Sequence, residues 1–538
     1  MVGGPFAALD EWRLIRRYAV PAWMIAECAE ARERGDWRAA CEAARVTVAF
    51  DDAGPVADLL AGLAPDLLRW HLPRAMDGTA ALLPRTRYVL APEGPVTAET
   101  VVLGVRSPHW VSASQRLTLQ AVRIGDISPG PVFPVPPHMW DARRAHELRA
   151  LPVDESTWVN DPWKSAGWII DAPSSRRRMR DGHELLRLTN PRLAAVELRR
   201  VAAQYGQRSW ELRSSILKRR SWFSRQLLLE VAGRRNRVAV VDDEQQGAQG
   251  GRARHEEPAS VEFCLHPSLL RGAVDLELVQ HGRLGVADVH PLVRAALFPS
   301  SAPAPDVVAP GLAPPAPREP AVTPAGFRDG ERVRVRCGPD WHWLALRGGQ
   351  LEPLDHTADE RRRELALQAF GGMLRGCFAA EVAWHQGGGR LPRRLAEYRR
   401  DLWRRMHHGG GRVVSSLLDE GMDPRVRDNV GRTLLHRIHQ FEHADVLTRL
   451  LSAGADVNAV NHLGYTAMCE ALVHGAPADL VAALSDAGAI PRLSRLDPAT
   501  WPEPEPEPVP AGPLAVGLDW ADVEQEARRG HDTAERPP

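Results

Sequence analysis

The feature that most restricts the fold is a motif that returns at a fixed interval near the carboxyl end. Asp428-x-x-Gly431-Arg432-Thr433-Leu434-Leu435-His436 recurs 33 residues on as Asn461-x-x-Gly464-Tyr465-Thr466-Ala467-Met468-Cys469. Leu417-Leu418 recurs as Leu450-Leu451 at the same interval, and Gly421 recurs as Gly454 and then as Gly488. A period of this length marks supersecondary units that cannot bury their apolar faces alone and must stack on one another. Each landmark also has a local reason. Gly431 and Gly464 stand where a β-turn needs a positive φ, which glycine adopts without a Cβ penalty. Thr433 and Thr466 are placed to cap a helix start with a side-chain oxygen. Val446, Leu447, Leu450 and Leu451 fall on one helical stripe and are expected to face the next unit. Gly454 and Gly488 stand where a helix ends in a left-handed residue.

Period and motif together resemble the ankyrin repeat, whose signature includes T-P-L-H-x-A. Ala455-Asp456-Val457-Asn458 after Gly454 matches that family's G-A-D-V-N connection. The match has departures: Leu434 replaces the family proline, Met468 and Cys469 replace its leucine and histidine, and an extra residue enters near Ala476-Pro477. Ahead of both copies, Val413-Val414, Leu417-Leu418 and Gly421 match only the second half of a unit. Its first helix, at Arg393 to His407, lacks the motif and reads as a degenerate cap. The array therefore covers about two and a half units over residues 393–490, so preceding helices must cover its end.

The resemblance implies a C-terminal α-solenoid that binds an unknown protein partner through its fingers and first helices and carries no catalytic machinery. Those positions here are Asn429, Val430, Arg432, Arg437, Gln440 and Phe441 in the first copy. In the second they are His462, Leu463, Tyr465, Glu470, Val473 and His474. Phe441 is expected to face solvent, where aromatics serve as interface hot spots; packing on the preceding unit is the alternative. His436 is expected in the family's structural role.

The rest of the 538 residues divides by composition. Residues 1–298 read as a mixed α+β unit of unassigned role. A Pro/Ala-rich linker spans 299–326. A small β-meander with helices occupies 327–392, and an acidic, Pro-rich tail, expected to be disordered, fills 491–538. Within the first unit, helical spacing runs over 11–48 with a turn at Gly35-Asp36, over 55–70, and over 190–232. Strands are expected between Tyr88 and Arg123, at Val238–Val241 and at Val261–Leu265, with a short helix at 290–297. Period-two alternation over 331–354 predicts the meander, and 359–374 reads as helix.

Formal net charge is zero, so no global field selects nucleic acid or membrane. The first residues, MVGGPFAALDEW, lack the basic-then-apolar run of a signal peptide. No stretch approaches the roughly 20 apolar residues of a membrane span. Six scattered cysteines without a C-x-x-C pair favour reduced thiols, and a cytoplasmic location is expected. Arginine greatly outnumbers lysine, as in high-GC bacteria, and the whole resembles ankyrin-containing proteins of actinobacteria that have no defined activity. His436, His439 and His443 share a helical face, but no acidic or cysteine ligand completes a metal set and H-E-x-x-H is absent. Asp181-Gly-His183-Glu184 and Asp355-His356 are isolated acid–histidine neighbours. No G-x-S-x-G or phosphate-binding glycine loop occurs. No catalytic residue, cofactor or metal ligand is therefore expected.

Two alternatives to a protein-binding adaptor stay open. Residues 176–237 hold 17 Lys or Arg against 5 Asp or Glu, and Lys218-Arg219-Arg220-Ser-Trp222-Phe223 adds aromatics, so this stretch could hold phosphates as part of a nucleic-acid-associated regulator. The other is an enzyme with an unrecognised site in residues 1–298.

Overall fold

In the computed structural model, Pro21 and Gly35 cut the amino-terminal helical stretch into three helices: Pro5–Tyr18, Ala22–Glu33 and Trp37–Ala43. Proline offers no amide to continue the first helix. Gly35 takes φ +70°, and Asp36 opens the third helix by accepting the Ala39 amide at 2.9 Å. The structure describes residues 5–150, 162–170, 186, 189–213, 226–232, 235–241, 261–299, 330, 332–347, 350–370, 372–387, 389–441 and 443–491. The linker beyond residue 299, the tail from residue 492, residues 176–185 and Lys218–Phe223 of the basic stretch all lie outside them.

Among the described residues, ten strands form one mixed sheet. They are β1 Val46–Val48, β2 Arg87–Leu90, β3 Val101–Arg106, β4 Leu117–Arg123, β5 Gly130–Pro134, β6 Trp168–Ile170, β7 Ser209–Leu212, β8 Gln226–Ala232, β9 Arg235–Val241 and β10 Val261–Leu265. Their order is β1-β4-β3-β2-β5-β10-β7-β8-β9-β6. The same connectivity occurs twice. The first and fourth strands of each half pair in parallel (β1 with β4, β6 with β9), and so do the second and fifth (β2 with β5, β7 with β10). The third strand pairs antiparallel with its neighbours. Parallel β5 and β10 join the halves.

Three expectations change here. The stretch read as helical over 11–48 ends its last helix at Ala43, and after Arg45 takes φ +54° the residues Val46–Val48 form β1. The helix expected over 55–70 is two, Ala57–Gly62 and Pro65–His71, because Pro65 starts a new one. The helix expected over 190–232 stops at Tyr205, where Gly206 takes φ +71°. The residues after it join the sheet as β7 and β8. Trp210 and Leu212 are buried while Ser209 is exposed, so a period of two wins once a neighbouring strand is present.

Alternate residues of the central strands face two layers. Tyr88, Leu90, Leu103, Val105 and Phe133 pack under the amino-terminal helices together with Val274–Gln280 and Pro291–Leu297. Val89, Val102 and Val132 face the other side, where Tyr205 of helix Pro191–Tyr205 packs. Buried ion pairs tie the first layer across the chain. Arg16 donates to Asp275 at 2.7 and 3.0 Å, and Trp70 donates to the same carboxylate.

The expected meander is present as β11 Arg332–Cys337, β12 Asp340–Arg347 and β13 Gln350–Pro353. Helices Ala358–Ala369 and Gly376–Gln386 follow. The helical run Arg393–Asp419 breaks at Gly410, with φ +66°, which separates the expected first and second helices of the degenerate unit. The two full copies are Leu435–Gln440, a 3-10 helix, with His443–Ser452, then Ala467–Val473 with Ala478–Asp486. Leu450 is fully buried in a core that runs from Val333 and Leu344 of the meander through Trp384 and Leu402 to Leu480. The described residues belong to one compact unit. Among the described residues, no helix is long and apolar enough to cross a membrane.

Candidate functional site

The two fingers are built alike. Asp428 Oδ1 accepts the amides of Val430 and Arg432 at 2.9 Å, and Asn461 Oδ1 accepts those of Leu463 and Tyr465 at 2.9 and 3.1 Å. Short side-chain acceptors of this kind fold the chain back on itself. Gly431 and Gly464 take φ +76° and +81° at the turn. The His462 amide donates to Val430 O at 3.0 Å, so one finger is hydrogen-bonded to the next. Gly454 and Gly488 both end helices at φ +81°, as expected.

The threonines act differently from the expected caps. The Thr433 amide donates to His436 Nδ1 at 3.1 Å, which leaves the ring proton on Nε2 to donate to Tyr465 O at 2.9 Å. His436 thus closes its own turn and links it to the next copy. Thr466 precedes its helix, but its hydroxyl donates to Ile490 O at 2.8 Å rather than capping. The Thr466 hydroxyl is taken by a carbonyl 24 residues on, whereas the Thr433 hydroxyl stays in its own turn 2.9 Å from His436 Nδ1, and the imidazole takes the place of the first cap.

Several residues expected at a partner surface are spent inside the stack. Glu470 is buried and accepts from Arg432 Nε and Asn461 Nδ2, each at 2.9 Å. Arg437 donates to Asp428 at 2.8 Å. Burial alone would raise the Asp428 carboxyl, but Arg437 and Arg432 hold it below the usual carboxylate range. His474 stacks on His439 with centroids 4.4 Å apart. Gln440 and Phe441 are 2% and 5% exposed. Phe441 is therefore a core residue, not an exposed anchor, because a neighbour covers it.

The neighbours of Phe441 are core residues of the meander and the repeats, while the backbone just before it meets the amino-terminal unit. Arg45, itself buried, directs its guanidinium at the carbonyls of His408 (2.8 Å), Gln440 (3.3 Å) and His407 (3.4 Å). A cation here meets carbonyls beside the break at Gly410 and at the end of the Leu435–Gln440 helix, where the helix dipole favours positive charge. His407 donates to Ala113 O at 3.1 Å and His408 to Thr79 O at 2.9 Å. Tyr18 and Arg17 both donate to Asp401. The expected cover over the array's first end is thus supplied by residues far back in the chain.

What stays accessible is the finger edge. Asn429 and His462 are exposed, and Val430, Leu463 and Tyr465 are half-buried. Val460 beside them is 39% exposed and Ile490 60%.

One acid–histidine pair among the described residues of 1–298 is closed off from solvent. His290 Nε2 meets Asp66 at 3.1 Å with both side chains fully buried, while Nδ1 accepts the Leu292 amide. The cleft of about 650 Å³ beside the Arg45 contact mixes Glu27, Glu30 and Asp445 with Arg34, Arg116 and Arg412. Arg412 pairs with Glu27 and Arg34 with Glu30, so no single-sign field forms there. Of the three histidines weighed as a metal face, both nitrogens of His436 are engaged, and the side chain of His443 lies outside the described residues. Sequence spacing left Cys337, His342, His356 and Cys377 unconnected; the fold brings one ligand atom of each within 4.8 Å of the others.

Compared with known families, residues 430–462 match the ankyrin repeat. No curated protein matches the chain. A repeat of this family indicates protein–protein interaction in general terms.

Proposed function

We propose that this chain is an adaptor that binds a protein partner along the finger edge of its ankyrin repeats, while its own amino-terminal unit occupies the first-helix face. The observation that carries this reading is the division of the expected surface. Gln440, Phe441 and Glu470 are buried within the chain, whereas Val430, His462, Leu463 and Tyr465 keep access to solvent beside exposed Val460. A rigid edge of aromatic and aliphatic side chains framed by polar groups is the composition of an interface core.

Cutting the chain before residue 393 would be a poor test, because it would uncover Tyr18, Arg45 and His407's acceptor at Ala113 as well. Substitution on the folded chain is cleaner. Affinity capture from the native cell should compare the parent with a Leu463→Ala/Tyr465→Ala double variant and with Trp341→Ala, an exposed side chain on the meander. Partners should be lost with the double variant alone, and affinity for an isolated partner should fall about 30-fold or more if the edge holds a hot spot. Equal recovery by all three chains would refute the assignment.

A further inference from the structure

We propose that Cys337, His342, His356 and Cys377 form a closed tetrahedral zinc site that fixes the meander to the helix beneath it. One ligand atom from each residue lies within 4.8 Å of the other three. Bond lengths of about 2.3 Å to sulfur and 2.0–2.1 Å to nitrogen space tetrahedral ligand atoms roughly 3.3–3.8 Å apart, so small side-chain adjustments complete the geometry. Two thiolates and two imidazoles select zinc over magnesium or calcium, and four protein ligands leave no open position for a substrate.

The local structure delivers each ligand. β11 and β12 meet at a two-residue turn, with Cys337 opposite Asp340 and Gly338 at φ +66°. Period-two alternation puts Cys337 on the face of Val333 and His342 on the face of buried Leu344 and Leu346, while Trp341 and Trp343 point outward at 55% and 38% exposure. After β13, Asp355 accepts the Trp343 amide at 2.6 Å and folds the chain back over the sheet. His356 Nε2 then lies 2.8 Å from His342 Nδ1. Cys377 arrives on the first turn of helix Gly376–Gln386. That approach requires glycine: Gly376 has φ +57°, and a Cβ there would lie 2.5 Å from Cys337 Sγ and 2.7 Å from Cys337 Cα.

A carboxylate also stands behind one of the ligands. The other ring nitrogen of His356, Nδ1, faces Glu360 Oε2 at 3.7 Å. Glu360 is held by a reciprocal cap in which it accepts the Thr357 amide at 2.8 Å and donates its own amide to Thr357 Oγ1 at 3.2 Å. A carboxylate behind a ligating histidine fixes its tautomer and raises its basicity. The other described cluster of metal-type ligands, Glu211, Glu262 and Cys264, lacks this character because Arg213 already pairs with both carboxylates. The far end of the Cys377 helix touches the repeat: Gln386 O lies 3.2 Å from His462 Nε2, and Arg399 bridges Ala383 O and Asn429. The metal would therefore anchor one end of a helix whose other end supports the fingers.

The test uses the full chain, purified without a histidine tag or chelator. Elemental analysis should find one zinc per chain, released by an organomercurial reagent. Cobalt exchanged into the wild-type chain should show tetrahedral d–d bands with thiolate charge transfer, a readout that needs no variant to fold. His342→Ala and Cys377→Ala should each lower bound zinc to about a tenth or less. Glu360→Gln, which removes only the charge facing His356 Nδ1, should weaken zinc affinity roughly 10- to 100-fold. The proposal is overturned if folded wild-type chain given zinc retains none, if cobalt shows no thiolate bands, or if bound zinc is unchanged in both ligand variants. A Cys337–Cys377 disulfide in a digest prepared without reductant would overturn it too.

Discussion

Replacing Arg45 with methionine isolates the cover over the repeat array. Methionine keeps most of the aliphatic stem and removes the guanidinium. In the folded chain that group lies 2.8 Å from His408 O, and 3.3 and 3.4 Å from Gln440 O and His407 O. A well-placed hydrogen bond from a charged donor contributes about 1.5–3 kcal/mol, and a buried carbonyl left without a partner costs about 1–3 kcal/mol. Of the three carbonyl contacts only that to His408 has good length, so the two longer ones count in part, and a 3.1 Å bond to Ser114 Oγ is lost as well. Methionine also avoids desolvating a cation, which offsets some of the loss. The net expectation is about 2–4 kcal/mol. Because a chain of this size need not unfold in two states, amide exchange is the better assay than a single melting temperature. Segments 402–415, 435–441 and 112–117 should exchange roughly 30- to 700-fold faster, since each 1.4 kcal/mol is a factor of ten. Strands β7–β9 should be unchanged. If the methionine variant exchanges like the parent in all three segments, the guanidinium is not what joins the amino-terminal unit to the repeats.

Two further outcomes are expected. Gly431→Ala and Gly421→Ala both place a Cβ at positive φ, +76° and +90°, but only at Gly431 does that Cβ meet another group, the His462 ring at 2.6 Å. Urea unfolding of the repeat region should show a loss of about 1–2 kcal/mol at 421 and a clearly larger one at 431, with His462→Ala restoring part of the difference. Acid should destabilise the chain through its buried neutral histidines. Burial pushes His407 down to about 3 and His138 to about 4, and His408 and His439 are lowered as well. The unfolded chain takes up these protons near pH 6.5 and the folded chain resists, so stability is full above that pH and falls as the pH drops toward the folded values. Each such histidine contributes about 1.4 kcal/mol per pH unit in that window. Urea midpoints at pH 7.5, 6 and 5 check the sign, and a His407→Gln variant should have a shallower slope. A midpoint independent of pH over that range would contradict the assignment.

The repeats were legible in the sequence because each of their landmarks answers a local need. A turn at Gly431 or Gly464 needs a positive φ, a helix end at Gly454 needs the same, and a stripe at Leu450 needs a face to bury. Such requirements are met within a few residues, so they leave a period. The strands of the meander and β10 were legible for the same reason. The order of the ten-stranded sheet was not, since parallel pairing of β5 with β10 or β1 with β4 joins residues far apart and depends on no local signal. The burial of Phe441 and Glu470 depended on the packing of the repeats and meander beside them, and the Gln440 carbonyl next to Phe441 is met by Arg45 from the opposite end of the chain. The Cys337, His342, His356 and Cys377 group shows the limit most plainly. None of the four has a partner ligand at metal spacing in its own segment, and only the close approach of backbones at Gly376 and the return of the chain after Asp355 put their ligand atoms together. Local geometry is written along the chain; contact between distant segments is decided by which surfaces the fold brings to face each other.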